Sequence, residues 1–189
     1  MPGNRNCVGL REKSTMNAMM DAPPHVEVPA SWKPVKPFEG MDSSSQFIPH
    51  AATDDRLMLR YYQDDADGSF KTWAWFGRGA EGAPGRVHGG SVSAILDEVL
   101  GACVWMGGMP VVTATLTIRY RNPLPLGTVC DIETRIERRT SKRAIVKGVL
   151  KVRGGSVIAE AEGVYFRLPD SEIPPAAGAV LARRRGEGR

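Results

Sequence analysis

The sequence predicts an α+β fold in which one long buried helix is wrapped by a curved antiparallel sheet of about six strands. Three observations predict it. From Val92 to Met106 only Ser93, Asp97, Glu98 and Gly101 are not apolar, and an apolar run of that length is a helix hidden on nearly all sides. From Thr113 to Arg121 the pattern switches to period two, with Thr113, Thr115, Thr117, Arg119 and Arg121 on one face and Ala114, Leu116, Ile118 and Tyr120 on the other. The connections between these segments are short, which favours antiparallel neighbours.

Each element follows in order. Residues 1–50 hold seven prolines and little periodicity, and read as an extended or partly disordered arm that Trp32 and Phe38 tether to the body. "RLMLRYYQ" and "GSFKTWAWFG" read as two strands joined by a turn at Asp67-Gly68. A loop rich in glycine and proline, "EGAPGRVHGG", leads into the helix, and Gly107-Gly108 with Pro110 stop it. After the period-two strand, "NPLPLG" turns the chain. Three further strands follow, near Val129–Arg138, Ala144–Val152 and Val157–Phe166. The domain therefore spans residues 51–169, and residues 170–189 read as a mobile basic tail.

Composition narrows the function. The net charge of +4 owes much to the closing "RRRGEGR", and the remaining body is close to neutral, which argues against nucleic acid as a partner. No uninterrupted apolar stretch has the length of a membrane span. Cys7, Cys103 and Cys130 are scattered and odd in number, as reduced thiols of a cytoplasmic compartment would be. Arg5, Arg11 and Lys13 against Glu12 leave organelle targeting by the arm open. The glycines of "GRGAEG" match a dinucleotide fingerprint in form only, because no parallel strand-helix-strand unit follows. No Cys/His spacing suggests zinc.

The chemistry concentrates between His88 and Thr113. Asp97 lies about two turns into the buried helix, where a lone carboxylate is costly unless it is paired or used. It is either a structural carboxylate bonded to backbone or serine, or a working group. Gly89 and Gly90 stand at the helix start, where free backbone N–H groups and a partial positive charge suit an oxyanion. They also read as a plain turn. His88 either donates to a leaving group or orders the loop. Arg138, Arg139, Lys142 and Arg143 flank a strand turn, as a solvated turn or as an anion site.

"PGRVHGGSVSAILDEVLG" followed by "VTATLTIRYRNPLPLGT" resembles the hotdog-fold acyl-CoA thioesterases, of the phenylacetate-pathway and animal mitochondrial type, over about residues 56–168. The resemblance implies a thioester hydrolase that releases a carboxylic acid and CoA without a metal or other cofactor. It places the catalytic carboxylate on Asp97, as general base or nucleophile, and a water-holding hydroxyl on Thr113. It places the oxyanion N–H on Gly89 and a thioester contact on His88. Gly90 and the four basic residues become candidates for substrate binding. Some relatives carry an asparagine six residues before the histidine, where this chain has Gly82. The resemblance further implies a homodimer, in some relatives a dimer of dimers, whose sites take the aspartate from one chain and the HGG loop from the other. An acyl-CoA-binding protein without turnover and a hotdog hydratase or dehydratase remain alternatives.

Overall fold

The computed structural model describes residues 20–42, 47–48 and 55–187. Seven strands form one antiparallel sheet in the order β1-β2-β3-β5-β6-β7-β4. They are β1 (Trp32–Pro34), β2 (Leu57–Asp64), β3 (Phe70–Phe76), β4 (Val111–Tyr120), β5 (Val129–Arg139), β6 (Arg143–Val152) and β7 (Val157–Arg167). Helix α1 runs Gly89–Met106 and helix α2 runs Pro175–Arg185. The predicted fold is correct, with two differences at the chain's ends and a register shift in β4 between Thr113 and Thr115, which puts Thr113 on the face of Leu116, Ile118 and Tyr120 instead of the expected face of Thr115 and Thr117.

Helix α1 is the core. Val92, Ile95, Leu96, Val99, Leu100, Ala102, Val104 and Trp105 are buried against the sheet. Each such apolar side chain contributes on the order of 1.5–3 kcal/mol by leaving water. Its 18 residues reach by length and composition what a bilayer crossing needs, but half of that span is buried inside the domain, as in any core helix. The sheet can close on the helix because small residues stand at the contact. A Cβ at Gly148 of β6 would lie 2.4 Å from Leu100 Cδ1.

The first difference is the seventh strand. β1 comes from the arm and extends the sheet by pairing Trp32 with Asp64 and Pro34 with Tyr62. Trp32 Nε1 donates to Asp64 Oδ2 at 3.1 Å, and Phe38 meets the Trp105 ring edge-on at 5.5 Å between centroids. Both aromatic residues expected to tether the arm do so, Trp32 on β2 and Phe38 on the C-terminal end of α1.

The second difference corrects the expected mobile tail. Within residues 170–189, Pro175–Arg185 is a docked helix with Ala177, Val180 and Leu181 buried. Its arginines supply the reason for docking. Arg184 donates to the carbonyls of Lys36, Pro37 and Trp105 at 2.7, 2.5 and 3.2 Å, and Arg185 donates to that of Gly108 at 3.2 Å. The contacts to Trp105 and Gly108 satisfy carbonyls at the C-terminal end of α1, where a helix has no backbone donors of its own to offer, and those to Lys36 and Pro37 tie the arm to it.

β4 closes one side of the sheet. It pairs with β7 along one edge, from Val111 opposite Arg167 to Tyr120 opposite Ala159. It is the last strand in the order, so its other edge presents unpaired backbone groups.

Candidate active site

The glycine loop and α1 are joined by an unusual cap. His88 is the N-cap residue, and its Nδ1 accepts the Gly90 N–H at 2.9 Å. A side chain at Gly90 would crowd that ring, since its Cβ would lie 2.9 Å from Nδ1. With Nδ1 accepting, the neutral ring carries its proton on Nε2, which faces outward as a donor. The Gly90 N–H, expected as a substrate contact, is therefore committed within the loop. The Gly89 N–H has no acceptor among the described residues. The Gly89 carbonyl is held from the side by Tyr120 Oη at 2.9 Å and Ser93 Oγ at 3.0 Å.

Asp97 lies two turns further on, half-buried, on the side of α1 that faces β4. Thr113 Oγ1 donates to its Oδ1 at 2.7 Å. This settles the partner of Asp97 as a strand hydroxyl; Ser93, four residues earlier on the same face, turns to Gly89 and Tyr120 instead. Oδ2 is left open. Tyr165 completes the group: its hydroxyl donates to the Asp97 carbonyl at 3.4 Å, and burial first, then the Asp97 charge, holds it well above the usual tyrosine range. Tyr165 fits because it shares a face with Gly163, where a Cβ would lie 2.4 Å from the ring. Tyr165 was not marked by the sequence, and Tyr120 entered only as the last residue of the strand that carries the resemblance, with no role assigned. Tyr120 occupied an unremarkable apolar position of a period-two strand, and Tyr165 lies 68 residues from Asp97.

The neighbouring carboxylate differs. Glu98 points to β2, where Tyr61 Oη donates to its Oε1 at 3.4 Å, and burial pushes its carboxyl up to about 7. Asp97 and Glu98 thus stand on different sides of one helix, as the 100° step between consecutive residues requires.

The structure explains the departure at Gly82. A Cβ there would lie 2.8 Å from His88 Cα. The present loop has no room for a side chain at 82, so no asparagine-like donor enters from that position. "GRGAEG" includes a short 3-10 turn at Arg78–Ala80 and opens no helix, as expected.

The basic residues gather at the opposite end of α1 from His88. Arg139 donates to the Gly107 carbonyl at 2.9 Å. Arg143 lies beside Phe166, which in turn pairs with Val112, so the β5–β6 turn sits next to the Thr113 end of β4. Arg138, Lys142 and Arg143 are exposed.

Within one chain the two halves of the group do not meet. Gly89 and Asp97 are eight residues apart on α1, about 12 Å along its axis. One carbonyl carbon requires its attacking group within about 3.5 Å and its oxyanion donor within about 3 Å of the oxygen.

A carboxylate on a buried helix faces a strand hydroxyl inside a single wrapped sheet, which is a hotdog arrangement, and the chain is similar to known thioesterases. Residues 84–159 match the family model of the thioesterase superfamily. The acyl-coenzyme A thioesterase THEM4 of Xenopus laevis is 33% identical over 90 residues, covering 47% of this chain and 40% of that one. The chain spans less than half the length of the curated relatives it matches. Among solved structures, a thioesterase superfamily protein is 25% identical with a TM-score of 0.56, covering 88% of this chain and 81% of that one. A Bacillus halodurans protein solved with CoA is 28% identical with a TM-score of 0.50, covering 54% and 69%.

Proposed function

We propose that this protein hydrolyses acyl-CoA thioesters, with Asp97 as general base or nucleophile. The observation that carries the reading is the 2.7 Å hydrogen bond from Thr113 to Asp97, which fixes one carboxylate oxygen and leaves the other for a water or for the carbonyl carbon. The thioester oxygen takes the Gly89 N–H, and the outward Nε2–H of His88 contacts the thioester. Water adds to the carbonyl carbon with its proton passing to Asp97. Collapse of the tetrahedral intermediate breaks the C–S bond, and the thiolate leaves and is protonated. Alternatively Asp97 attacks first, and water then hydrolyses the mixed anhydride. Neither route requires a metal. The commitment of Nδ1 to Gly90 counts against a hydratase, whose histidine needs a free lone pair to act as base.

The working site is composite. The two half-sites are attached to opposite ends of β4: Thr113 near its start holds Asp97, and Tyr120 at its end holds Gly89. Antiparallel pairing of the free β4 edge with its twin would set the start of one strand against the end of the other. That brings the Asp97 of one protomer to the HGG loop of the next, and no other movement is needed. The protein is accordingly read as a homodimer. The compartment is read as cytoplasmic and reducing, in keeping with free Cys103 and Cys130.

Release of free thiol across an acyl-CoA chain-length series tests the reading. Hydrolysis of at least one acyl-CoA is expected; binding without thiol release would leave an acyl-CoA-binding protein instead. Mixing His88→Ala with Asp97→Asn chains tests the composite site. Random exchange makes half the dimers mixed, each with one intact site, so about a quarter of wild-type activity should return. No return after verified exchange would place the whole site in one chain.

A further inference from the structure

Three oxygens form a closed triangle at the start of α1. Ser93 Oγ lies 3.0 Å from the Gly89 carbonyl oxygen, Tyr120 Oη lies 2.9 Å from the same oxygen, and the two hydroxyls are 2.6 Å apart. The triangle has three contacts and only two protons to fill them. Hydroxyl oxygens at 2.6 Å need a proton between them, so one hydroxyl donates to the other and the second proton goes to the carbonyl. Whichever hydroxyl donates to Gly89 is therefore strengthened by its neighbour. Helix formation does not explain the arrangement. Ser93 alone would be the common back-bond of a helical serine to the carbonyl four residues earlier. A carbonyl in the first turn of a helix already has an intrahelical donor. Tyr120 comes from β4, 31 residues from Gly89. It is 54% exposed, so burial is not what places its hydroxyl there.

The Gly89 carbonyl and the Gly90 N–H are the two ends of one peptide unit, and its resonance couples them. A donor on the oxygen makes the N–H a stronger donor in turn. That N–H is the one His88 Nδ1 accepts at 2.9 Å. A continuous path thus runs from the two hydroxyls through one peptide to the imidazole. We propose that Tyr120, together with Ser93, is a positioning residue for His88: the hydroxyl pair polarises the Gly89–Gly90 peptide, which holds Nδ1 as an acceptor and keeps the Nε2 proton on the side that meets the thioester. The ring nitrogen that carries the proton is set by the bond the other one makes. The inference rests on the thioesterase reading for what Nε2–H meets, and on the hydrogen-bond path alone for how the ring is held. Tyr120 closes β4, so its hydroxyl stands at the end that pairing of the free edge would set against the Asp97 of the next protomer. The strand that brings one protomer's carboxylate up also steadies the other's histidine.

The test is NMR of isotope-labelled protein, read at the scalar coupling that crosses a hydrogen bond from the Gly90 amide nitrogen to His88 Nδ1. The wild type at neutral pH is expected to show this coupling, with Nδ1 unprotonated. Tyr120→Phe combined with Ser93→Ala should weaken it and let the second tautomer appear. Tyr120→Phe alone should weaken it less, because Ser93 can still donate. That single variant removes one exposed oxygen, and it decides the question if the double variant does not fold. In turnover, the double variant should lower kcat by about tenfold with little change in KM, the scale of one hydrogen bond. Ser93→Thr, the conservative variant, should restore much of what Ser93→Ala loses. An unchanged coupling in the variants overturns the path through the peptide. A loss of kcat with the coupling intact overturns it too, and makes Tyr120 a structural residue of the β4 edge. If the wild type hydrolyses no acyl-CoA, the thioesterase reading fails instead, and the coupling still decides how His88 is held.

Discussion

Asp97 and Glu98 are consecutive carboxylates on one helix, and they live in different solvents. Glu98 looks inward to β2, meets Tyr61, and is pushed up to about 7 by burial. Asp97 looks toward the free-edged strand and is held at one oxygen by Thr113. A search for the most perturbed acid would choose Glu98, because perturbed groups mark active sites often enough to be a guide. Geometry chooses Asp97: it has a positioning hydroxyl, an open second oxygen, and a place at the surface a second subunit would cover. Desolvation measures how hard a group is to charge, and the neighbours decide whether it can reach a substrate.

Substitutions at three positions can break or sharpen this contrast. The largest effect is expected at Asp97→Asn, which keeps the Thr113 contact and the fold but should lower kcat by roughly a thousandfold or more, as when a reaction loses its nucleophile or base. Steady-state thiol release checks it, and near-normal turnover would remove Asp97 from the chemistry. Thr113→Ala should cost roughly tenfold to a hundredfold in kcat with a modest change in KM, the loss of one positioning hydrogen bond. Thr113→Ser should keep much of the activity. Equal losses in both would make the methyl group, and hence packing, the important part.

The smallest catalytic effect, within about threefold, is expected at Glu98→Gln. Its signature lies in stability. A carboxyl raised from 4.5 to about 7 by folding binds more protons in the native state across that interval, so Glu98 lowers stability progressively as pH climbs through it. Glu98→Gln removes that slope and should melt higher than the wild type at pH 8, with little difference near pH 4. Parallel melting curves for the two proteins from pH 4 to 8 would show that Glu98 is not desolvated in solution.

Much of the fold was legible because it is periodic. The apolar run of α1 and the alternation of β4 announce themselves within a dozen residues, and the β2–β3 turn carries its Asp-Gly signal. β1 was not legible: three residues ending in proline carry no alternation, and they are a strand only because β2 offers them partners. Helix α2 left a readable signal that composition concealed. Pro175 sits in the first turn, Ala177, Val180 and Leu181 recur at helical spacing, and Gly186 follows in a left-handed conformation at φ 76°. The alanines, glycine and arginines around them resemble a tail. At the site, the spacing from His88 to Asp97 could be read along the chain, and Thr113 could be reached through a family resemblance. Tyr120 and Tyr165 could not, because their contacts with Gly89 and Asp97 exist only after strands 31 and 68 residues away have been laid against the helix.

Arg184 also sets an order of events. Its guanidinium joins Lys36 and Pro37 across separations of 148 and 147 residues, so the contact forms late on any route that builds local structure first. During synthesis the β1 region leaves the ribosome long before its fastener exists. At about 5–20 residues per second, that interval lasts on the order of 10–30 seconds. Until residue 184 emerges, the aromatic end of α1 under Phe38 has only the N-terminal segment to shield it. A nascent chain arrested before α2 would therefore present that end to chaperones, and the completed chain would withdraw it.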